Sequence, residues 1–238
     1  GRTDLRVIAN SVDFQSQINS DAIIVDSFQT VIVPKILNAV NNGYIDLRTY
    51  RDLTDIKLSA DLKVSSANNE DAQGSGWVRL TAADGSLINT NASKILGSGS
   101  HLILKVKNEI GNSLAPILTD IAELTAATSL HGQGDIVIQE KDSLKLVSNG
   151  DETPVQENPG LVIPALAIQP DWVEKSNWIT NLSTDWRNQI VDGANQYAVA
   201  AGNGNISLNL LATDALLTLA SGTFVNRKQA GNITLTAD

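Results

Sequence analysis

The chain has two histidines, and neither is placed for chemistry. His101 opens an alternating segment and His131 sits in a loop just before Gly134. No HExxH pair and no third ligand at metal-binding spacing accompanies them, so they read as unrelated surface imidazoles. The serines offer no activated nucleophile: there is no G-x-S-x-G, and Gly97-Ser98-Gly99-Ser100 reads as a turn before a strand. Gly202-Asn203-Gly204 leads into a strand pattern and not a helix N-terminus, so it forms no phosphate cradle. Asp84-Gly85 and Asp192-Gly193 are lone turn dipeptides without the nonapeptide repeat of calcium-binding β-rolls. Cysteine is absent, which excludes thiolate ligands, Cys nucleophiles and disulfides. No metal and no cofactor is expected.

Two constellations remain. Asp46 and Arg79 occupy the same outward position of neighbouring copies of a short strand pattern. Acid–base work on a polysaccharide needs two or three such groups clustered on adjacent strands, whereas a single pair reads as a cross-strand ion pair. The second is aromatic. Trp172, Trp178 and Trp186 fall in a segment, 151–203, that also carries prolines at 154, 159, 164 and 170. Trp178, Leu182, Trp186 and Ile190 are spaced by four, which would align them on one face of a short helix. Their rings suit the apolar faces of sugars, with Asn177, Asn181 and Asp185 nearby as hydrogen-bonding groups, and they make these tryptophans the candidate ligand-binding residues. The competing expectation is that the segment lies over the rest of the fold and seals its apolar surface.

The elements that must carry these residues repeat one template: a small turn residue, a polar or aromatic residue, then apolar–any–apolar. It fits Thr3–Val7, Gly43–Leu47, Gly76–Leu80, Ser100–Leu104, Gly134–Ile138, Gly204–Leu208 and Gly231–Leu235, with a weaker copy near Ser20 whose inward pair is Ile23 and Val25. Period-two alternation puts both apolar side chains on one face of a strand. A third inward site follows at Ala9, Thr49, Ala82, Val106, Glu140, Leu210 and Ala237; Glu140 breaks the pattern and is expected to mark an early strand end. Second strands are expected within Asp55–Ser65, Ser86–Thr90, Ser143–Val147 and Ala215–Ala220, set off by turn residues such as Ala83-Asp84-Gly85. Helical periodicity is missing from nearly all of this.

Successive template copies from Gly43 onward are separated by 33 (43 to 76), 24 (76 to 100), 34 (100 to 134), 70 (134 to 204) and 27 (204 to 231) residues. Units in the twenties and thirties built from strands predict a β-solenoid, in which one turn cannot bury its apolar residues until the next stacks on it. The fold expected is therefore all-β: a right-handed, single-stranded parallel β-helix of roughly seven coils. It forms a single domain over 1–238, with 151–203 as a loop or short-helix insertion. An immunoglobulin-like sandwich is the alternative; it would want hairpin turns at shorter spacing and strands that do not repeat one motif.

Composition agrees with thin, regular layers: 42% hydrophobic residues but only 4% aromatic, so Leu, Ile, Val and Ala must build the core. A net charge of −9 with scattered basic residues argues against nucleic acid. The most apolar run, Leu161–Ile168, is too short to cross a membrane and contains Pro164. Methionine is absent even at position 1, so the chain reads as a processed or excised piece of something longer.

Gly204–Leu210, Asp214–Val225 and Gly231–Ala237 resemble the GNITLTA-like coils of filamentous-haemagglutinin-type bacterial exoproteins. So does the succession Glu109–Asn112, Pro116–Asp120, Leu124–Ala126 and Gly134–Glu140. About two thirds of the chain is covered; Ser27–Asn42 and 151–203 have no counterpart in a simple coil, and no amino-terminal secretion domain is visible. The resemblance implies a non-catalytic shaft segment of a large secreted or cell-surface adhesin. Its partners would be neighbouring coils of a longer parent chain, further chains joined end to end, or surface glycans and host or cell-surface proteins. A carbohydrate-binding or polysaccharide-degrading β-helix is the alternative function.

Overall fold

Ile45 and Leu47 are fully buried while Tyr44 and Arg48 are only half-buried, and this alternation recurs through the chain because an apolar–any–apolar segment has one inward face when extended. The computed structural model describes residues 3–51, 53–67, 71–128, 134–148, 196–221, 223–227 and 231–237. Among them there are strands and no helices. The chain runs β1 (Asp4–Ala9), β2 (Ile18–Ser27), β3 (Val31–Val33), β4 (Leu37–Thr49), β5 (Ile56–Leu58) and β6 (Leu62–Val64). It continues with β7 (Trp77–Ala82), β8 (Leu87–Asn89), β9 (Lys94–Val106), β10 (Ile117–Thr128), β11 (Ile136–Glu140) and β12 (Leu144–Leu146). The last described strands are β13 (Gln196–Ala201), β14 (Ile206–Leu210), β15 (Leu217–Leu219), β16 (Thr223–Arg227) and β17 (Ile233–Ala237).

Every pairing between these strands is parallel. Three inward columns result. In the first, Val7, Val25, Leu47, Leu80, Leu104, Ala126, Val199 and Val225 follow one another in register, beside Leu5, Ile23, Ile45, Val78, Leu102 and Leu124. The second holds Val31, Ile56, Leu87, Ile110, Ile136, Ile206 and Ile233. The third holds Ile18, Leu37, Leu62, Ile95, Thr119, Glu140 and Leu210. Each fully buried Leu or Ile contributes roughly 1.5–3 kcal/mol, and the parallel ladders satisfy the backbone groups that the columns take out of water.

The repeat copies do not share one column, as a single in-phase series would require. Those at Thr3, Ser20, Gly43, Gly76 and Ser100 lie in the first column, but those at Gly134, Gly204 and Gly231 lie in the second, aligned with the segments at Asp55 and Ser86. The first column instead continues through the second half of β10, then β13 and β16. Ser27–Asn42 is likewise no excursion: β3 and the start of β4 make it a full member of the stack. Residues 196–201, within the segment expected to be inserted, form β13. Glu140 ends a strand as long as β14 and β17, so the strand does not stop early; its carboxyl is buried in the column.

Two devices fix the register. Corners turn on left-handed residues: Asn41 and Asn42 both have φ near 56°, a conformation that asparagine tolerates, and they bend β4 between its two inward halves. Asn42 then accepts the Ser75 N–H at 2.9 Å. Before the strands of the second column, a polar side chain of one turn accepts a backbone N–H of the next. Thr30 takes that of Asp55 (3.1 Å), Asp55 that of Ser86 (3.0 Å), Asp135 that of Asn205 (2.7 Å), and Asn205 that of Asn232 (2.9 Å). This explains the polar residue that opens the template there.

The small first residue of the template has a steric cause. A Cβ on Gly76 would run into the carbonyl oxygen of Gly43, one on Gly204 into that of Gly134, and one on Gly231 into that of Gly204. The obstructing atom is ladder backbone and cannot yield. Gly76→Ala is therefore expected to lower stability in urea denaturation by about 1–3 kcal/mol, the usual cost of overpacking, although Ala is elsewhere the better residue within regular structure. An unchanged midpoint would contradict this close approach.

Candidate functional site

The outward face of β2, β4, β7, β9 and β10 brings a set of aromatic and titratable side chains into register. Parallel register turns the second template position into a row: Tyr44, Trp77, His101, Glu123 and Lys145 follow one another across the strands. Tyr44 and Trp77 stack at 4.3 Å between centroids and 10° between planes. The Arg79 guanidinium lies 5.4 Å from the centre of the Trp77 ring, within cation–π range. The indole is thus engaged by Tyr44 and Arg79, which leaves it poorly placed as a platform for a sugar.

Along the row, His101 Nε2 is 2.9 Å from Thr125 Oγ1, and that hydroxyl donates to the Val147 carbonyl at 2.7 Å. A hydroxyl has one proton, so the imidazole must donate through Nε2 and keep Nδ1 as an acceptor. Burial holds the His101 pKa below its usual value, and the nearby Glu123 only partly opposes this. Thr125 is buried and committed as donor, which disqualifies it as a nucleophile served by His101. Glu123 pairs with Lys145 at 2.7 Å.

Beside this row lies a lattice of alternating charge. The structure brings Asp46 and Arg79 together, as their shared repeat position predicts. Arg79 Nε donates to Asp46 Oδ1 at 3.0 Å and its Nη2 pairs with Oδ2. Two further strand positions join them: Arg48 Nη2 is 3.2 Å from Asp46 Oδ2, and Arg48 Nε is 3.1 Å from Asp26 Oδ1. Tyr50 Oη donates to the same Asp26 oxygen at 2.6 Å. Asp46 is 1% exposed. Burial alone would lower the Arg48 pKa, but Asp46, Tyr50 and Asp26 outweigh it and raise it beyond the ordinary range. Burial also raises the Tyr50 pKa, with Asp26 adding to the effect against Arg48, so its hydroxyl stays protonated and donating.

This lattice has the composition of an acid–base site without its availability. Both oxygens of Asp46 are held by guanidinium groups, and Arg48 bridges the two carboxylates that a glycosidase would need to hold in different protonation states. Its geometry suits a clamp joining β2, β4 and β7.

The other sequence candidates have structural partners. Ser100 Oγ donates to the Gly74 carbonyl at 2.8 Å inside β9. Gly202 N–H donates to Thr128 Oγ1 at 3.1 Å as the chain enters β14. Asp84 pairs with Lys107. Trp172, Trp178, Trp186, His131 and Asp192-Gly193 lie outside the described residues. Among the described residues no group of three or more His, Cys, Asp or Glu is placed to hold a metal ion, and no helix is long and apolar enough to cross a membrane. Sequence reasoning missed Asp26, Arg48, Tyr50 and the Tyr44–Trp77 stack. The stack had a signal, since Tyr44, Trp77 and His101 hold the same template position. No family model matches the chain, no curated protein matches it, and no solved structure matches it.

Proposed function

We propose that the chain is a structural, non-catalytic shaft segment of a large secreted or surface-exposed bacterial adhesin of the filamentous-haemagglutinin type. In this reading the parallel strands are the faces of a right-handed, single-stranded β-helix of roughly seven coils. The carrying observation is the first inward column, in which Val7, Val25, Leu47, Leu80, Leu104, Ala126, Val199 and Val225 follow one another through successive parallel pairs of the described strands. A stack of this kind transmits load through backbone ladders and leaves its outer side chains to hold neighbouring turns together, as the Asp26–Arg48–Asp46–Arg79 lattice does.

Pulling the chain between its ends with optical tweezers tests the shaft. Coil-by-coil peeling predicts repeated small extensions, about 80 Å for a turn of the length that separates Val78 from Leu102. A single all-or-none rip would count against it. The alternative, a carbohydrate-binding or polysaccharide-degrading protein acting through Trp172, Trp178 and Trp186, predicts glycan-array signal lost on substituting those residues, or release of reducing or unsaturated ends from a polysaccharide panel.

A further inference from the structure

Glu140 occupies a place otherwise filled by uncharged side chains. It is the inward residue that follows Thr119 and precedes Leu210 in the third column, and it is 1% exposed. Beside the Thr119 hydroxyl, its donors are backbone groups at long range: Ile121 N–H lies 3.3 Å from each carboxyl oxygen and Asp142 N–H 3.2 Å from Oε1. No cation is paired with it among the described residues. Of the charged groups on the elements around it, β10 supplies Asp120, which Lys141 holds at 2.7 Å, and the following turn supplies Lys141 itself and Asp142. Lys94 of β9 is exposed, and β14 presents only Asn209 and Leu210. Ionisation would therefore place a charge without an ion-pair partner where β10, β11 and β14 meet, with Lys141 acting on it only through space.

We propose that Glu140 is a pH-sensitive latch: protonated, it lets β10, β11 and β14 pack as one continuous column, and ionised, it loosens the β11–β14 junction. Burial pushes its carboxyl up to about 7, against the Thr119, Asp142 and Ile121 hydrogen bonds that favour the charged form. Below the ordinary carboxyl range both the open and the packed states hold the proton, and there is no penalty. As pH rises towards 7 the open state ionises first, so packing weakens; above 7 the loss is complete and constant.

Hydrogen exchange at the amides of Asn209, Leu210 and Leu211, the last of which donates to the Glu140 carbonyl, reads this junction. After correction for intrinsic rates, the opening equilibrium should rise by roughly 150-fold between pH 4.5 and 8 in the native chain. It should stay flat in Glu140→Gln, and amides in β2 and β4 should not respond in either. Glu140→Leu, which restores an apolar column, provides a second pH-independent variant should the amide variant fold poorly. The same pH dependence with and without the carboxyl, or a Glu140 side-chain carbon signal titrating at an ordinary carboxyl value, would overturn the latch.

Discussion

Leu104→Asp is expected to lose a large share of the protein's stability, while Ile233→Asp, the same change at another inward template position, should be nearly silent. Leu104 is fully buried between Leu80 and Ala126, so a carboxylate there has neither water nor a partner. A buried unpaired charge costs on the order of 3–5 kcal/mol, against the 5–15 kcal/mol that usually holds a domain together. For a chain of this size that lowers the melting temperature by roughly 10 °C or more. Ile233 is 42% exposed and stacks on Ile206 alone among the described residues, so a carboxylate there can reach solvent. Its cost should stay below about 1 kcal/mol. Equal melting temperatures would contradict the order of the column.

Asp46→Leu should be the most damaging change on the outer face. Removing that carboxylate leaves Arg79 without its bidentate partner and Arg48 with Asp26 and Tyr50, in a place where Asp46 itself has almost no solvent contact. Truncating one member of a buried ion pair costs about 3–5 kcal/mol, chiefly because the remaining charge is stranded. The double variant Asp46→Leu/Arg79→Leu should recover a good part of that loss in urea denaturation, since it removes the stranded guanidinium as well. Arg79→Lys should fall between, because an ammonium cannot reproduce the two-pronged contact. If Asp46→Leu were as stable as the native chain, the lattice would not be the clamp inferred here, and the question of a chemical role for Asp46 would reopen.

What the amino-acid order reveals is set by what each residue's neighbours must do. Ile45/Leu47 and Val78/Leu80 are legible as inward pairs because strand alternation is local, and Gly43 and Gly76 because a close backbone approach demands a missing Cβ. Which column a pair joins is not local. Gly134-Asp135-Ile136-Val137-Ile138 has the same pattern as Gly76–Leu80 yet lies in the second column, since apolar–any–apolar encodes inward and outward but not the direction of the face. The second half of β10 does not read as a copy of the strand template, although Leu124–Ala126 belongs to the resemblance, because Ala126 and Ala127 give weak contrast and Glu123 stands where other copies have Tyr, Trp or His. Asp46 with Arg79 was visible from one repeat position. Asp26, Arg48 and Tyr50 were not, because their meeting depends on the register between β2 and β4, which the unequal turn lengths conceal.

The parallel stacking of successive strands in the register described is tested most directly by cysteine pairs in this naturally cysteine-free chain. Neighbouring parallel strands lie about 4.8 Å apart, within the Cα separation a disulfide accepts. Thr81 with Lys105, Val137 with Ser207, and Ser207 with Thr234 are register partners on outward positions of three different strand pairs. Each pair replaced by cysteine should close under mild oxidation. The pairs slipped by one residue, Thr81 with Leu104 and Val137 with Leu208, should keep both thiols free, because one side chain of each points inward. Equal closure of matched and slipped pairs, or failure of Val137 and Ser207 to close across their long separation in sequence, would contradict the stack.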